Sequence, residues 1–140
     1  MGCLKLSKEE LKEKLIQFAK QYYDDISHPL AVANQFPEMS DEWIVGLFHD
    51  VLEDTELRDI ELFLFLTKYN MYKVYLEISR ITRKEDEAYF EYIKRLKEYN
   101  DVCTRVKIAD LKHNLSRTET LKPSLKKRYE KALRILLDGK

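Results

Sequence analysis

The stretch GLFHDVLEDTE, residues 46–56, places four acids and one histidine among apolar residues that recur at helical spacing. The apolar stripe predicts a helix that faces a hydrophobic core, with His49 and Asp50 at the edge of that core. Burying a charge without a partner is energetically costly. These polar groups therefore need a partner, and a metal ion with a bound water molecule is the partner that we predict.

The composition of the whole chain is typical of a helical protein. Its 140 residues are 44% apolar and 36% charged, with three glycines and three prolines. No segment alternates polar and apolar residues for long enough to predict a strand. We therefore predict one all-α domain spanning residues 1–140, with about seven or eight helices. Tyr89 and Tyr92 lie three apart on one predicted helix and are expected in the core, not as base-stacking groups.

Local signals predict where the helices begin and end. Ser7 starts a capping-box pattern for a helix that runs to about Tyr23. Ser40 is predicted to cap a helix that continues through residues 41–54. The remaining helices are predicted near residue 28 and across residues 56–69, 71–81, 86–99, 101–118 and 123–138.

Charge and hydropathy narrow the classes of partner. Lysine and arginine total 25, as do aspartate and glutamate, so the net charge gives no support for a nucleic-acid surface. No apolar run approaches the length that spans a bilayer, and the N-terminus lacks the apolar stretch of a signal peptide. Cys3 and Cys103 have no CxxC spacing, which predicts reduced thiols. We expect a cytoplasmic protein with a small-molecule partner, and the oligomeric state stays open.

Two histidines and two carboxylates are candidate metal ligands. On a helix, His49 and Asp50 point about 100° apart, so they reach one ion only if it lies between the two directions. His28 precedes a predicted helix start, where a loop can aim its ring inward. Asp110 has apolar neighbours and needs a cation. Two imidazoles, two carboxylates and water suit Mn²⁺, Fe²⁺, Co²⁺ or Ni²⁺ better than a closed structural zinc site.

Each of these residues also has a purely structural interpretation. A histidine–aspartate doublet on a helix is commonly an exposed ion pair, and Asp110 can pair with Lys107 on a helix surface. Glu53 and Asp54, taken alone, are typical of an acidic helix terminus. The order of the set along the chain, a histidine, then the doublet, then an aspartate, favours the metal site.

Three stretches, in order, carry a more specific set of motifs. They are HPLAVANQF at residues 28–36, HDVLEDT at 49–55 and RVKIADLKHNLSRT at 105–118. Together they resemble the HD superfamily of metal-dependent phosphohydrolases, and HDVLEDT is similar to the HD-x-x-ED-T signature of the (p)ppGpp 3'-pyrophosphohydrolases. The resemblance implies a helical HD-domain fold and a mononuclear site, usually for Mn²⁺, with Mg²⁺ as a further alternative. It implies four ligands: His28, His49, Asp50 and Asp110.

The resemblance also implies a reaction, the hydrolysis of a nucleotide by metal-activated water, with (p)ppGpp as the leading substrate. Glu53 and Asp54 each follow a ligand by four residues, which places them one turn further along the same helix face. The resemblance assigns this pair to activation of the attacking water. The structural alternative is that the two acids only cap the helix and screen the metal.

Three further residues are candidates for contacts with the substrate. Lys107 either reaches a phosphate or neutralises the acidic cluster. Asn114 lies one turn beyond Asp110 and can face the same cavity. Arg83, at a loop or helix end, is either a phosphate clamp or a solvated surface arginine. His113 is expected to pack or hydrogen-bond internally.

The segment AKQYYDDISHP, residues 19–29, departs from the family pattern. Family members usually carry a basic, glycine-containing arm before the first histidine, whereas this chain carries Asp24 and Asp25. Two alternatives to (p)ppGpp hydrolysis therefore stay open. One is a 5'-nucleotidase or another phosphomonoesterase or phosphodiesterase, and the other is a non-catalytic sensor that binds a nucleotide. Retention of Glu53 and Asp54 argues against the sensor, which needs no water-activating pair.

Overall fold

A computed structural model describes residues 6–138, and in this range it contains α-helices and no strand. The prediction of an all-α fold is therefore confirmed. No helix in the described range is long and apolar enough to cross a membrane. The nine helices of this range, α1 to α9 in chain order, span Lys8–Tyr22, Ser27–Ala33, Asp41–Phe48, Val51–Asp54, Asp59–Lys68, Tyr72–Ile81, Tyr89–Tyr99, Val102–Ser116 and Pro123–Leu137.

Side-chain caps and a proline mark the predicted helix starts. Ser7 Oγ accepts a hydrogen bond from Glu10 N at 3.1 Å, and Glu10 Oε1 accepts one from Ser7 N at 3.0 Å. Ser40 Oγ accepts from Trp43 N at 3.1 Å. Pro123 begins α9, in the first turn, where an α-helix needs no backbone donor. These features confirm the predicted starts of α1, α3 and α9, whereas α5 and α7 each begin three residues later than predicted.

One prediction is wrong, because residues 41–54 do not form a continuous helix. The helix α3 ends one residue before His49, and α4 begins one residue after Asp50. Asp50 has φ −105° and ψ 0°, in the sparsely populated bridge region of backbone conformations. The interruption divides one predicted helix into two.

The hydrogen bonds around Gly46 explain this break. In a continuous helix, the Asp50 N–H group would donate to the Gly46 carbonyl oxygen. That oxygen instead accepts a hydrogen bond from His49 Nδ1 at 2.6 Å. The Asp50 N–H group donates to the hydroxyl oxygen of Tyr23 at 3.3 Å, so its hydrogen-bonding capacity is satisfied outside the helix.

The helices that carry the predicted ligands pack directly against one another. The helices α2, α3 and α8 form a mutually packed set, and α9 packs against both α7 and α8. Tyr92 is buried, which confirms its prediction as a core residue, whereas Tyr89 is partly buried at the edge of the core. The largest fully buried side chains include Trp43, Phe48, Leu15, Leu47, Leu62, Ile93 and Leu111.

Cys103 is a free cysteine buried in the core. Burial raises the pKa of its thiol to about 12, and the negative charge of Glu77 acts in the same direction. The thiol is therefore uncharged at neutral pH. Cys3, the other predicted reduced thiol, lies outside the described residues.

Gly46 also allows a close approach between α3 and α2. A Cβ atom at this position would lie 3.0 Å from Ala33 Cα and 3.0 Å from Ala33 N. Both atoms belong to the backbone of α2, which cannot turn aside as a flexible side chain can. The close approach brings His28, on α2, towards His49, which directly follows α3.

We expect Gly46→Ala to lower the melting temperature, because the added methyl group pushes α2 and α3 apart. Overpacking a core position costs about 1–3 kcal/mol. This exceeds the gain of up to about 1 kcal/mol that alanine brings to a helix interior. Thermal unfolding followed by circular dichroism measures the change, with Ser124→Ala on the exposed part of α9 as a control. An unchanged melting temperature would show that the two helices separate without cost.

Candidate metal centre

Four predicted side chains converge in the structure. One ligand atom from each lies within 4.8 Å of those of the others, so together they could hold a metal ion. They come from α2, from the break between α3 and α4, and from α8. We refer to them as the metal group, which consists of His28, His49, Asp50 and Asp110.

The separations within the metal group are compatible with a shared ion. His28 Nε2 lies 2.7 Å from Asp110 Oδ1, and His49 Nε2 lies 3.1 Å from the same oxygen. Asp50 Oδ2 lies 3.0 Å from His49 Nε2 and 3.8 Å from His28 Nε2. Two ligand atoms at about 2.1 Å from an ion and at right angles to each other lie about 3 Å apart. Two nitrogens and two oxygens at these separations therefore suit one divalent cation.

The ring of His49 is oriented by the end of α3. Its Nδ1 atom lies 2.6 Å from the Gly46 carbonyl oxygen, which can only accept a hydrogen bond. We therefore assign the proton of the neutral ring to Nδ1, so that Nε2 is the nitrogen directed at the metal group. Metal-binding histidines commonly use such a carbonyl partner to fix the ring and its tautomer.

His113 orients the second imidazole. Its Nδ1 atom lies 2.6 Å from His28 Nδ1, and the two rings stack with centroids 4.8 Å apart. Burial and the electrostatic influence of His28 lower the pKa of His113, which favours the neutral ring as the acceptor. We therefore assign the donated proton to His28 Nδ1, so that His28 Nε2 faces the metal group. The prediction that His113 hydrogen-bonds internally is confirmed.

Asp110 is the buried carboxylate of the metal group and divides its contacts between its two oxygens. Oδ1 faces the two imidazoles, and Oδ2 lies 2.9 Å from Lys107 Nζ. Burial alone would raise the pKa of Asp110, but the positive charges of Lys107 and His49 hold it well below its usual range. Lys107 was predicted either to reach a phosphate or to neutralise the acidic cluster, and its contact with Asp110 agrees with the second interpretation. Its contact with substrate stays a prediction.

Glu53 and Asp54 lie on α4, at the rim of the site. Both side chains are exposed, yet partial loss of hydration and the negative charge of Asp50 raise the pKa of each above its ordinary value. Glu53 Oε2 accepts a long hydrogen bond from Arg83 N at 3.4 Å, which opposes this increase. A carboxylate with a raised pKa is a better proton acceptor near neutral pH. The catalytic role of the pair stays a prediction.

The other two predicted substrate contacts lie on either side of the metal group. Asn114 Nδ2 donates to Asp110 Oδ1 at 3.3 Å, so this amide contacts the metal group itself. Arg83 Nε donates to the Glu87 carbonyl oxygen at 2.8 Å, and the guanidinium carbon lies 5.5 Å from the centroid of the Tyr89 ring. Both residues are therefore near the site, and their contact with substrate stays a prediction.

The acidic segment before His28 is on the surface. Asp24 and Asp25 are both exposed, and Asp25 Oδ1 accepts a hydrogen bond from Ser27 N at 2.9 Å, at the start of α2. Tyr23 precedes them, and its hydroxyl oxygen accepts the hydrogen bond from Asp50 N. Sequence reasoning did not identify Tyr23, because the contact forms only after the chain has folded.

Comparison of the chain with models of known protein families and with curated proteins gives no match.

We expect Mn²⁺ to bind the metal group with an affinity that increases with pH. Burial alone would lower the pKa of His49, but the carboxylates of Asp50 and Asp110 hold it well above its ordinary value. The carboxylates therefore strengthen proton binding at this ring, and the proton competes with Mn²⁺, so metal binding is expected to release up to about one proton. Isothermal titration calorimetry in buffers of different ionisation enthalpy measures the number of protons released.

Asp50→Asn provides the matched loss-of-ligand variant, because it changes the charge of a partly exposed side chain with little change in shape. Removing a direct ligand is expected to lower Mn²⁺ affinity by at least about 100-fold, beyond the range seen for supporting residues. Asp24→Asn is the control, since Asp24 is exposed and outside the metal group. Equal affinities in both variants, or binding without proton release at neutral pH, would contradict the site.

Proposed function

We propose that this chain is a cytoplasmic, metal-dependent phosphohydrolase of the HD superfamily that acts on a nucleotide, with (p)ppGpp as the leading substrate class. The convergence of the metal group supports this proposal, because its four members are the residues that the HD-type motifs designate as ligands. The all-α fold agrees with the same assignment. The donor set of two nitrogens and two oxygens suits Mn²⁺, Fe²⁺, Co²⁺ or Ni²⁺, and the resemblance to the HD superfamily implies Mn²⁺ among them.

The metal group provides the charge for this chemistry. A divalent ion held by His28, His49, Asp50 and Asp110 would supply a Lewis acid for the phosphoryl oxygen and would lower the pKa of a bound water molecule. His28 Nε2 and, once its second proton is displaced, His49 Nε2 can offer lone pairs, because the Nδ1 atoms of the two rings are engaged by His113 and by the Gly46 carbonyl. Lys107 offsets the negative charge of Asp110, which keeps the buried carboxylate ionised.

Glu53 is the proposed base that orients the attacking water and accepts its proton, and Asp54 supports it. Three observations favour Glu53: its place on α4 directly after the metal group, its raised pKa, and the hydrogen bond that ties it to Arg83 N. The exposed position leaves the carboxylate accessible to water and substrate.

A phosphomonoesterase such as a 5'-nucleotidase is the second candidate, and one observation favours it. The segment before His28 presents Asp24 and Asp25 to solvent where a basic arm would contact a highly charged substrate. Like charges in this segment repel a polyphosphate and disfavour it relative to a monophosphate. Arg83 and Asn114 are then the side chains proposed to contact the remaining substrate.

The test of the proposed function is a panel of nucleoside phosphates incubated with the Mn²⁺-loaded protein. Orthophosphate and diphosphate are measured separately. We expect diphosphate from (p)ppGpp, because the proposed reaction releases the 3'-diphosphate group intact. Orthophosphate from nucleoside 5'-monophosphates would support the second candidate, and no product from any substrate would refute hydrolysis altogether.

Glu53→Gln is expected to retain Mn²⁺ and to lower kcat by about 100-fold or more, as loss of a positioned base commonly does. The variant keeps the shape of the side chain and removes its negative charge and its ability to accept a proton. Glu56→Gln is the matched control, because Glu56 is an exposed glutamate three residues further along the chain and outside α4. An undiminished rate in Glu53→Gln would exclude the residue from the mechanism.

A further inference from the structure

The hydroxyl group of Tyr89 is buried without a hydrogen-bond partner. Among the buried side-chain nitrogen and oxygen atoms in residues 6–138, it is the one atom in this condition. A buried hydroxyl without a partner is unfavourable, and most such groups in folded proteins are paired. Tyr89 lies in the first turn of α7, at the edge of the core. Packing of its ring does not explain why the hydroxyl group is kept there without a partner.

Two cationic side chains lie against the same ring. The guanidinium carbon of Arg128, on α9, lies 4.6 Å from the centroid of the Tyr89 ring, and that of Arg83 lies 5.5 Å from it. Within residues 6–138, neither guanidinium forms an ion pair with a carboxylate. Arg83 Nε donates instead to the backbone carbonyl of Glu87. An arginine stacked on an aromatic ring keeps N–H donors at its edge, where they can bind a phosphate in a bidentate manner.

Two series of contacts connect this cluster to the metal group. Arg83 N is hydrogen-bonded to Glu53 Oε2, at the rim of the site. The Tyr89 ring lies 6.1 Å from the ring of Tyr92, and Lys107 Nζ lies 5.4 Å from the centroid of Tyr92. Since Lys107 is paired with a ligand of the metal group, the Tyr89 ring is connected to that group through Tyr92 and Lys107, and Arg83 contacts the rim of the site directly.

We propose that Tyr89, Arg128 and Arg83 form a subsite that binds a second phosphate group of the substrate, one that is not hydrolysed. The hydroxyl donates a hydrogen bond to a phosphate oxygen, and the guanidinium groups supply positive charge. This inference rests on the proposed phosphohydrolase function and assigns residues of this chain to the phosphate group that the proposed reaction leaves in place. The subsite provides cations that the acidic segment before His28 lacks.

Inorganic phosphate is the probe, titrated into the full chain in buffer free of divalent cations and followed by the backbone amide signals of α7 and α9 in ¹H–¹⁵N NMR spectra. We expect saturable shifts near Tyr89 and Arg128. Arg128→Gln is expected to raise the dissociation constant about tenfold, as loss of a hydrogen bond to a charged group does. Arg134→Gln, on the same helix but in the separate cavity lined by Leu115 and Leu133, is the matched control and should leave the constant unchanged.

Tyr89→Phe separates binding from a structural role. It keeps the ring that the arginines contact and removes only the unpartnered hydroxyl, so the melting temperature should stay the same or increase. The dissociation constant for phosphate should increase about three- to tenfold, the range expected for one hydrogen bond. A lowered melting temperature with unchanged phosphate binding would overturn the proposal, because the hydroxyl would then serve the fold alone.

Kinetics with the Mn²⁺-loaded protein distinguish failure of the subsite from failure of the proposed function. Arg128→Gln should raise KM for a nucleoside with 3' and 5' phosphate groups about tenfold with little change in kcat, and leave KM for a nucleoside 5'-monophosphate unaltered. Equal effects of Arg128→Gln and Arg134→Gln on phosphate binding, or no saturable shift at α7 and α9, would refute the subsite. If neither the unmodified chain nor any variant hydrolyses a substrate, the proposed function is refuted. The phosphate titration would still test the subsite by itself.

Discussion

The candidate metal centre depends on one buried carboxylate, that of Asp110, whose residue is 3% exposed. A buried charge without partners is strongly unfavourable, so the position of α8 is stable only where neighbouring helices supply compensating groups. His28 on α2 and His49 after α3 supply imidazoles to one oxygen, and Lys107 supplies an ammonium group to the other. The same carboxylate therefore links the packing of three helices to the arrangement of the ligands.

The break between α3 and α4 is the second constraint, and it depends on Gly46 in two ways. The absence of a side chain permits the close approach to Ala33 on α2. The Gly46 carbonyl binds the ring of His49 and so is lost to the backbone N–H of Asp50. On a regular helix the two side chains would point about 100° apart. At the break, His49 Nε2 and Asp50 Oδ2 come within 3.0 Å of each other.

The helix starts and the convergence of the ligands could be predicted from the sequence, for different reasons. Ser7 and Ser40 act on backbone groups only three residues away, so their caps can be inferred from local sequence. The ligands were predicted from the order of the motifs, because spacing alone says little about helices that meet only in the folded chain. The break at Asp50 could not be predicted, since its N–H group bonds to Tyr23, 27 residues earlier.

A charge count explains why substrate binding requires groups beyond the metal group. A divalent ion and Lys107 exceed the two carboxylates of the metal group by one positive charge, whereas a phosphate monoester carries up to about two negative charges near neutral pH. Glu53 and Asp54 add negative charge when ionised, although their raised pKa values reduce that contribution. Any second phosphate group therefore needs further cations. The segment before His28 offers exposed aspartates, so these cations must come from elsewhere, and the arginines that lie on the Tyr89 ring are free of carboxylate partners within the described residues.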